Sequence, residues 1–162
     1  MATATYQPEL LDVSIERMVD SDPDFSYLGE YSAKPGPDDR TIDRNKDGRG
    51  HYHNGRRYFI AAMSGTDTGN PESVMQDYKR MEAYNDGEWH YLGIRAVAIV
   101  RLTEDGPKQK ITSGGLWGIE SDSDESCFAE VEAEQRAELA DQLLAMGIDP
   151  EAVSEQCETE ND

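Results

Sequence analysis

The sequence predicts an α+β fold: an antiparallel sheet of about five strands, two main helices packed on one face, and a short C-terminal helix. Three observations carry this. Leu11, Val13, Ile15 and Arg17 alternate with Asp12, Ser14 and Glu16, the period of a strand with one dry face. The run Trp89 to Leu102 is the longest apolar segment, and the turn Glu104-Asp105-Gly106-Pro107 returns the chain into Lys110 to Ile119, as in a hairpin. Two segments, after Asn70 and after Ser123, open with helix-start chemistry and continue with helical spacing.

The elements follow in chain order. After the strand at Leu11–Arg17 and the Asp22-Pro23 turn, Phe25 to Tyr31 reads as a second short strand, completing a hairpin with the first. Lys34 to Gly55 has glycines and prolines but no apolar periodicity, so residues 34–55 are expected to be a long mobile loop. Arg57 to Met63 restores strand character, and Gly65 to Gly69 interrupts it. In Asn70-Pro71-Glu72 the asparagine can cap free amides and proline suits the first helical turn, so a helix runs from Pro71 to about Tyr84 with Val74, Tyr78 and Met81 as its buried stripe. Trp89 and Trp117 are expected in the core of the sheet. A second helix runs from Ser123 to Met146, with Phe128, Gln135, Leu139 and Met146 on one face and Gly147 as terminator. Asp149-Pro150-Glu151 starts a short third helix. The whole is read as one domain over residues 1–157 with an acidic tail over 158–162.

Charge is distributed unevenly. From Ile119 to Asp162 there are 15 Asp and Glu against one base, Arg136, while the preceding part carries 19 acids and 14 bases. An acidic block repels nucleic acid and acidic membranes and attracts basic surfaces, so the expected partner is a basic protein. The first residues, MATATYQPEL, hold no basic region followed by an apolar run, and the longest apolar stretch, Ala96 to Val100, is too short for a membrane, so a soluble, cytoplasmic protein is expected. Cys127 and Cys157 are flanked by acids and fit no disulfide framework or zinc spacing; free thiols are expected.

At 100° per residue, Glu130, Glu134, Glu138 and Asp141 fall within about 80° of one another on the side of the helix away from Phe128 and Leu139. Each four-residue step rises about 6 Å, whereas one DNA strand carries a phosphate about every 3.4 Å. Glu120, Asp122, Asp124 and Glu125 lead into the ridge, and Glu151 and Glu155 add further acids. A carboxylate surface of this kind has the chemistry to stand in for a phosphate backbone; it is also what a solvated face of an acidic protein looks like. The stretch from Arg40 to Arg57 has the opposite sign, six bases against two acids, and Arg44, Lys46, Arg49, Arg56 and Arg57 are an alternative nucleic-acid-binding set. Within it Asp43, Asn45, Asp47 and Gly48 match the opening of a calcium-binding EF-hand loop, but Asn54 stands where a bidentate glutamate is required, and His51 with His53 lack a third ligand. No metal or other cofactor is expected. Ser113-Gly114-Gly115-Leu116-Trp117-Gly118 reads as a bend or bulge, or as a close backbone approach to a ligand. No serine, cysteine or histidine sits in a nucleophile motif, so no enzymatic activity is expected.

The run Gly69-Asn-Pro-Glu-Ser-Val-Met-Gln-Asp-Tyr-Lys-Arg-Met-Glu-Ala-Tyr-Asn85, with Ser113-Gly-Gly-Leu-Trp-Gly-Ile-Glu-Ser-Asp-Ser-Asp124, resembles a widespread group of uncharacterised phage and prophage proteins over roughly Asn70 to Glu125. The resemblance implies a mobile-element setting, the cytoplasm of a bacterial host, in which small acidic proteins often inhibit host defence proteins. The expectation is a non-catalytic, phage-encoded inhibitor that holds a basic, nucleic-acid-handling host protein on Glu120–Glu138 and Asp141. A small nucleic-acid-binding accessory protein using the 40–57 stretch, or a structural or assembly protein, are the alternatives.

Overall fold

The computed structural model describes residues 5–48, 50, 53–63 and 70–158. In chain order these form β1 (Glu9–Val19), β2 (Gly29–Ser32), β3 (Thr41–Asp43), β4 (Tyr58–Ala61), α1 (Pro71–Asn85), β5 (Tyr91–Arg101), β6 (Lys108–Thr112), β7 (Leu116–Glu120), α2 (Glu125–Ala145) and α3 (Pro150–Cys157). The fold is α+β with antiparallel strands, as expected. The strands divide between two sheets of four and three strands, and the chain forms two compact units, residues 1–21 with 91–162, and residues 22–90.

In the first unit β5 is the central strand. β1 pairs antiparallel along its whole length, from Glu9 opposite Arg101 to Val19 opposite Leu92. The expected hairpin between β1 and the second strand therefore does not form. Two eleven-residue strands satisfy far more backbone groups with each other than β1 could with the four residues of β2, which pairs with β4 instead. An irregularity at Leu11 places Leu10 in the core, after which Val13 and Ile15 hold the inward alternation. The other edge of β5 is shared. β6 pairs with Val97–Arg101 and β7 with Tyr91–Ile94, so the single strand expected over Lys110–Ile119 is two strands separated at Ser113-Gly114-Gly115.

α2 packs on β5 and α3 on α2 and β1. The core joins Leu10, Ala96, Ala98 and Val100 of the sheet to Leu139 and Leu143 of α2, with Ile148, Val153 and Cys157 closing it. Ile94, Ile119, Phe128 and Val131 make a second cluster. Residue Asp124, one position past the expected start, caps α2: its carboxylate accepts from the Cys127 amide at 2.9 Å and the Ser126 hydroxyl at 2.8 Å. Those two bonds, the amide's first, hold its carboxyl below the usual aspartate range.

In the second unit β4 lies between β2 and β3, and α1 packs on β4 and β2. Asn70 caps α1 by accepting from the Glu72 amide at 3.0 Å, with Pro71 in the first turn. Val74 and Met81 are buried and Tyr78 lies against Phe59, their ring centroids 5.5 Å apart, so the expected stripe is present. The expected loop at 34–55 contains β3, whose three residues pair with β4. The interruption at 65–69 and the tail beyond Glu158 lie outside the described residues.

Candidate functional site

Trp89 is 2% exposed, buried as expected, but it precedes β5 and packs on α1 rather than in the core of the sheet: its indole N–H donates to the Arg80 carbonyl at 3.0 Å and the Arg80 guanidinium lies 3.7 Å from its ring centroid. Trp117 is not in the core but 47% exposed. The reason is a bulge. Between Leu92 and Ile94 on β5 the pairing with Ile119 and Leu116 gains one residue, and Gly118 occupies the left-handed region at φ 76°. The extra residue sends Ile119 inward and Trp117 to the opposite face, where its ring lies over Gly93 so closely that a Cβ there would overlap it. The Gly118 amide, unpaired in the ladder, donates to Asp20 at 3.1 Å.

The Ser113-Gly114-Gly115 break is held by α2. Gln135 accepts from the Ser113 hydroxyl at 2.6 Å and the Gly115 amide at 2.9 Å, Glu138 accepts from the Gly114 amide at 2.9 Å, and the Ser113 oxygen accepts from the Ala96 amide at 2.9 Å. The amides of Ala96, Gly114 and Gly115 thus each find a side-chain acceptor, which favours the structural reading of this glycine pair over a ligand-binding one.

The acidic surface divides by role. Glu125, Glu130, Glu134, Glu138 and Asp141 are all exposed along α2, and Asp122 is exposed before it; Glu120 is half-buried at the end of β7. Glu138 is tied to the Gly114 amide and Asp124 to its own helix cap. Glu132, on the flank toward the sheet, pairs with Arg17 at 2.6 Å. Among the described residues, none forms a hydrogen bond or ion pair with Glu125, Glu130, Glu134 or Asp141, so these four are the acids of α2 left for an external cation. Glu151 and Glu155 are exposed on α3, and Glu158 just after it.

A groove runs between α2 and α3, with a volume of about 570 Å³. Its floor is Ala133, Ala137, Ala140 and Leu144 of α2; Val153 and Cys157 of α3 form the wall. Asp141 and Glu158 stand at its edges, and Arg136 lines it with a buried Nε that makes no hydrogen bond. Burial pushes the Cys157 thiol up, the neighbouring Arg136 charge opposing this in part; Cys127 and Cys157 are both unpaired, as expected. Sequence reasoning missed this groove. The signal was the 4-3-4 spacing of Ala133, Ala137, Ala140 and Leu144 on the outer side of α2, hidden because alanine scores weakly in an apolar pattern.

The basic stretch is spent within its own unit. Arg44 is only 9% exposed; its guanidinium meets Glu82 at 2.9 Å and lies 4.9 Å from the Tyr31 ring centroid. Arg57 makes a two-pronged pair with Asp43 at 2.6 and 2.5 Å, which holds the Asp43 carboxyl low, and Arg56 donates to the Tyr31 carbonyl at 3.2 Å. Burial, and then Glu82, push the Tyr31 phenol up. Lys46 is exposed, and Arg49, His51 and Tyr52 lie outside the described residues. His53 stacks on Tyr31 with centroids 4.4 Å apart. Of the five basic residues expected as a nucleic-acid surface, three are thus engaged in packing and pairing.

Among the described residues no three His, Cys, Asp or Glu side chains converge as a metal site requires, and no helix is long and apolar enough to cross a membrane. The arrangement presents carboxylates and an apolar groove. No protein family, curated protein or solved structure matches the chain.

Proposed function

We propose that this protein is a non-catalytic, phage-encoded inhibitor whose acidic α2 surface holds a basic, nucleic-acid-handling host defence protein by presenting carboxylates in place of phosphates. One observation carries the reading: Glu130, Glu134 and Asp141 stand exposed on one side of α2 and are unengaged by any described residue, although Arg17, Arg95 and Lys110 of the same unit pair with other acids. Intramolecular pairing has been directed elsewhere, and an exposed row of like charge raises the rate and specificity with which an opposite surface docks. The mobile-element setting comes from the resemblance to phage and prophage proteins. The engagement of Arg44, Arg56 and Arg57 weighs against the nucleic-acid-binding alternative.

The test is capture from bacterial lysate at low and high salt, comparing the parent with a variant carrying E130Q, E134Q, E138Q and D141Q. A nucleic-acid-handling protein retained by the parent at low salt, released at high salt and lost by the variant supports the reading. Equal retention by parent and variant contradicts it.

A further inference from the structure

The groove between α2 and α3 has the length and chemistry of a helix seat. Ala133, Ala137, Ala140 and Leu144 repeat at the spacing of a coiled-coil seam, and from first to last they span about 16 Å, three turns of helix. Alanine lets another backbone come close, and Leu144, 43% exposed, supplies an apolar anchor at one end. Val153 and Cys157 make the opposite wall. The volume of about 570 Å³ is enough for several large apolar side chains.

Both banks are acidic. Asp141 and Glu158 line the groove itself; Glu130 and Glu134 lie about a quarter-turn from the alanine stripe on α2, and Glu151 and Glu155 continue round α3. A second copy of the chain is a poor occupant, because its matching face would bring acid against acid in a protein of net charge -19. The charge fits an occupant that is apolar along one stripe and positive on both flanks.

We propose that this groove receives an amphipathic helix of the basic partner, with its apolar stripe on Ala133, Ala137, Ala140 and Leu144, and lysines or arginines facing both acidic banks. The inference rests on the acidic-surface reading above and adds the element that is recognised. Steering comes from the banks, and affinity from the stripe.

Two labelled peptides of about 18 residues, long enough for a stable amphipathic helix, test it on the full chain. One places leucines at the two seam positions of each heptad and lysines elsewhere; the other has the same composition shuffled so that no stripe forms. Fluorescence anisotropy at about 0.15 M salt should show the striped peptide binding at least about tenfold tighter, the worth of one buried leucine. A137F, an exposed position where a ring would fill the floor, should reduce the striped peptide to the affinity of the shuffled one and leave the shuffled one unchanged, with the helical circular dichroism of the parent retained. Equal affinities for the two peptides, or indifference to A137F, overturn the groove while leaving the acidic surface standing. Failure of both peptides to bind at low salt overturns the acidic-surface reading as well. A dimer in sedimentation that A137F dissociates shows a second copy in the groove and overturns the proposal.

Discussion

Trp89 and Trp117 look alike in the sequence, each in an apolar strand segment, and the structure separates them. Trp89→Ala removes a fully buried ring and should cost about 3 to 5 kcal/mol, a large part of a stability of about 5 to 15 kcal/mol. Trp117→Ala removes a half-exposed ring that lies over Gly93 and beside Gly115, and should cost about 1 kcal/mol; denaturant unfolding of the two variants distinguishes them. If Trp117→Ala were the costlier, the bulge at Gly118 would be misplaced. The Asp124 cap gives a pH-dependent counterpart. Its pKa is lowered in the folded state, so it contributes stability above its unfolded value, and that contribution is lost as the pH falls through the lowered one. Asp124→Ala should therefore melt at a lower temperature than the parent at pH 7, with the gap closing below the ordinary aspartate range.

The strand break between β6 and β7 depends on a single side chain of α2. Gln135→Leu keeps approximate volume but removes the acceptor for both the Ser113 hydroxyl and the Gly115 amide, and should cost about 2 kcal/mol through the groups left unpaired. Hydrogen exchange should show the loss confined to β7 and the start of α2; a variant as stable as the parent would contradict the role given to Gln135. The elements also show what the sequence made legible. α1, β5, α2 and α3 were readable because capping residues and periodicity are local signals: Asn70, Pro71 and Pro150 act where they stand. Strand pairing was not. Nothing near β1 announces that its partner lies some eighty residues downstream, since register is decided by matching lengths and inward faces. β3 was missed because three residues are too few for alternation to register. The outward turn of Trp117 was hidden because one glycine in the left-handed region inverts the alternation after it.

For the whole molecule, charge is the distinguishing quantity. The acids of α2 and α3 repel one another across a short distance, and the groove is lined by Asp141 of α2 and by Glu158 at the end of α3. Moderate salt should therefore raise the melting temperature by screening this repulsion while it weakens binding to a basic partner. Opposite salt responses of stability and affinity would mark a surface kept acidic for binding at some expense to the fold; salt that lowered the melting temperature would show the attractive pairs Glu16–Arg95, Glu16–Lys110 and Arg17–Glu132 to dominate instead. The candidate acids were legible individually, because an α-helix puts Glu130, Glu134 and Asp141 on one side by geometry alone. Their sorting into engaged and available was not, since it depends on where Gly114 and Arg17 are brought by the sheet.

A binding surface and a solvated face of α2 respond differently to loss of charge. The most direct measurement is the affinity of the partner retained at low salt for the parent and for the E130Q, E134Q, E138Q and D141Q variant, across a salt series. Glutamine keeps the acceptor for Gly114, so circular dichroism should be unchanged. The variant should bind about tenfold or more weakly, as loss of a row of close charge pairs would give, with a shallower dependence on salt. A variant that binds like its parent, with the same salt dependence, would contradict it.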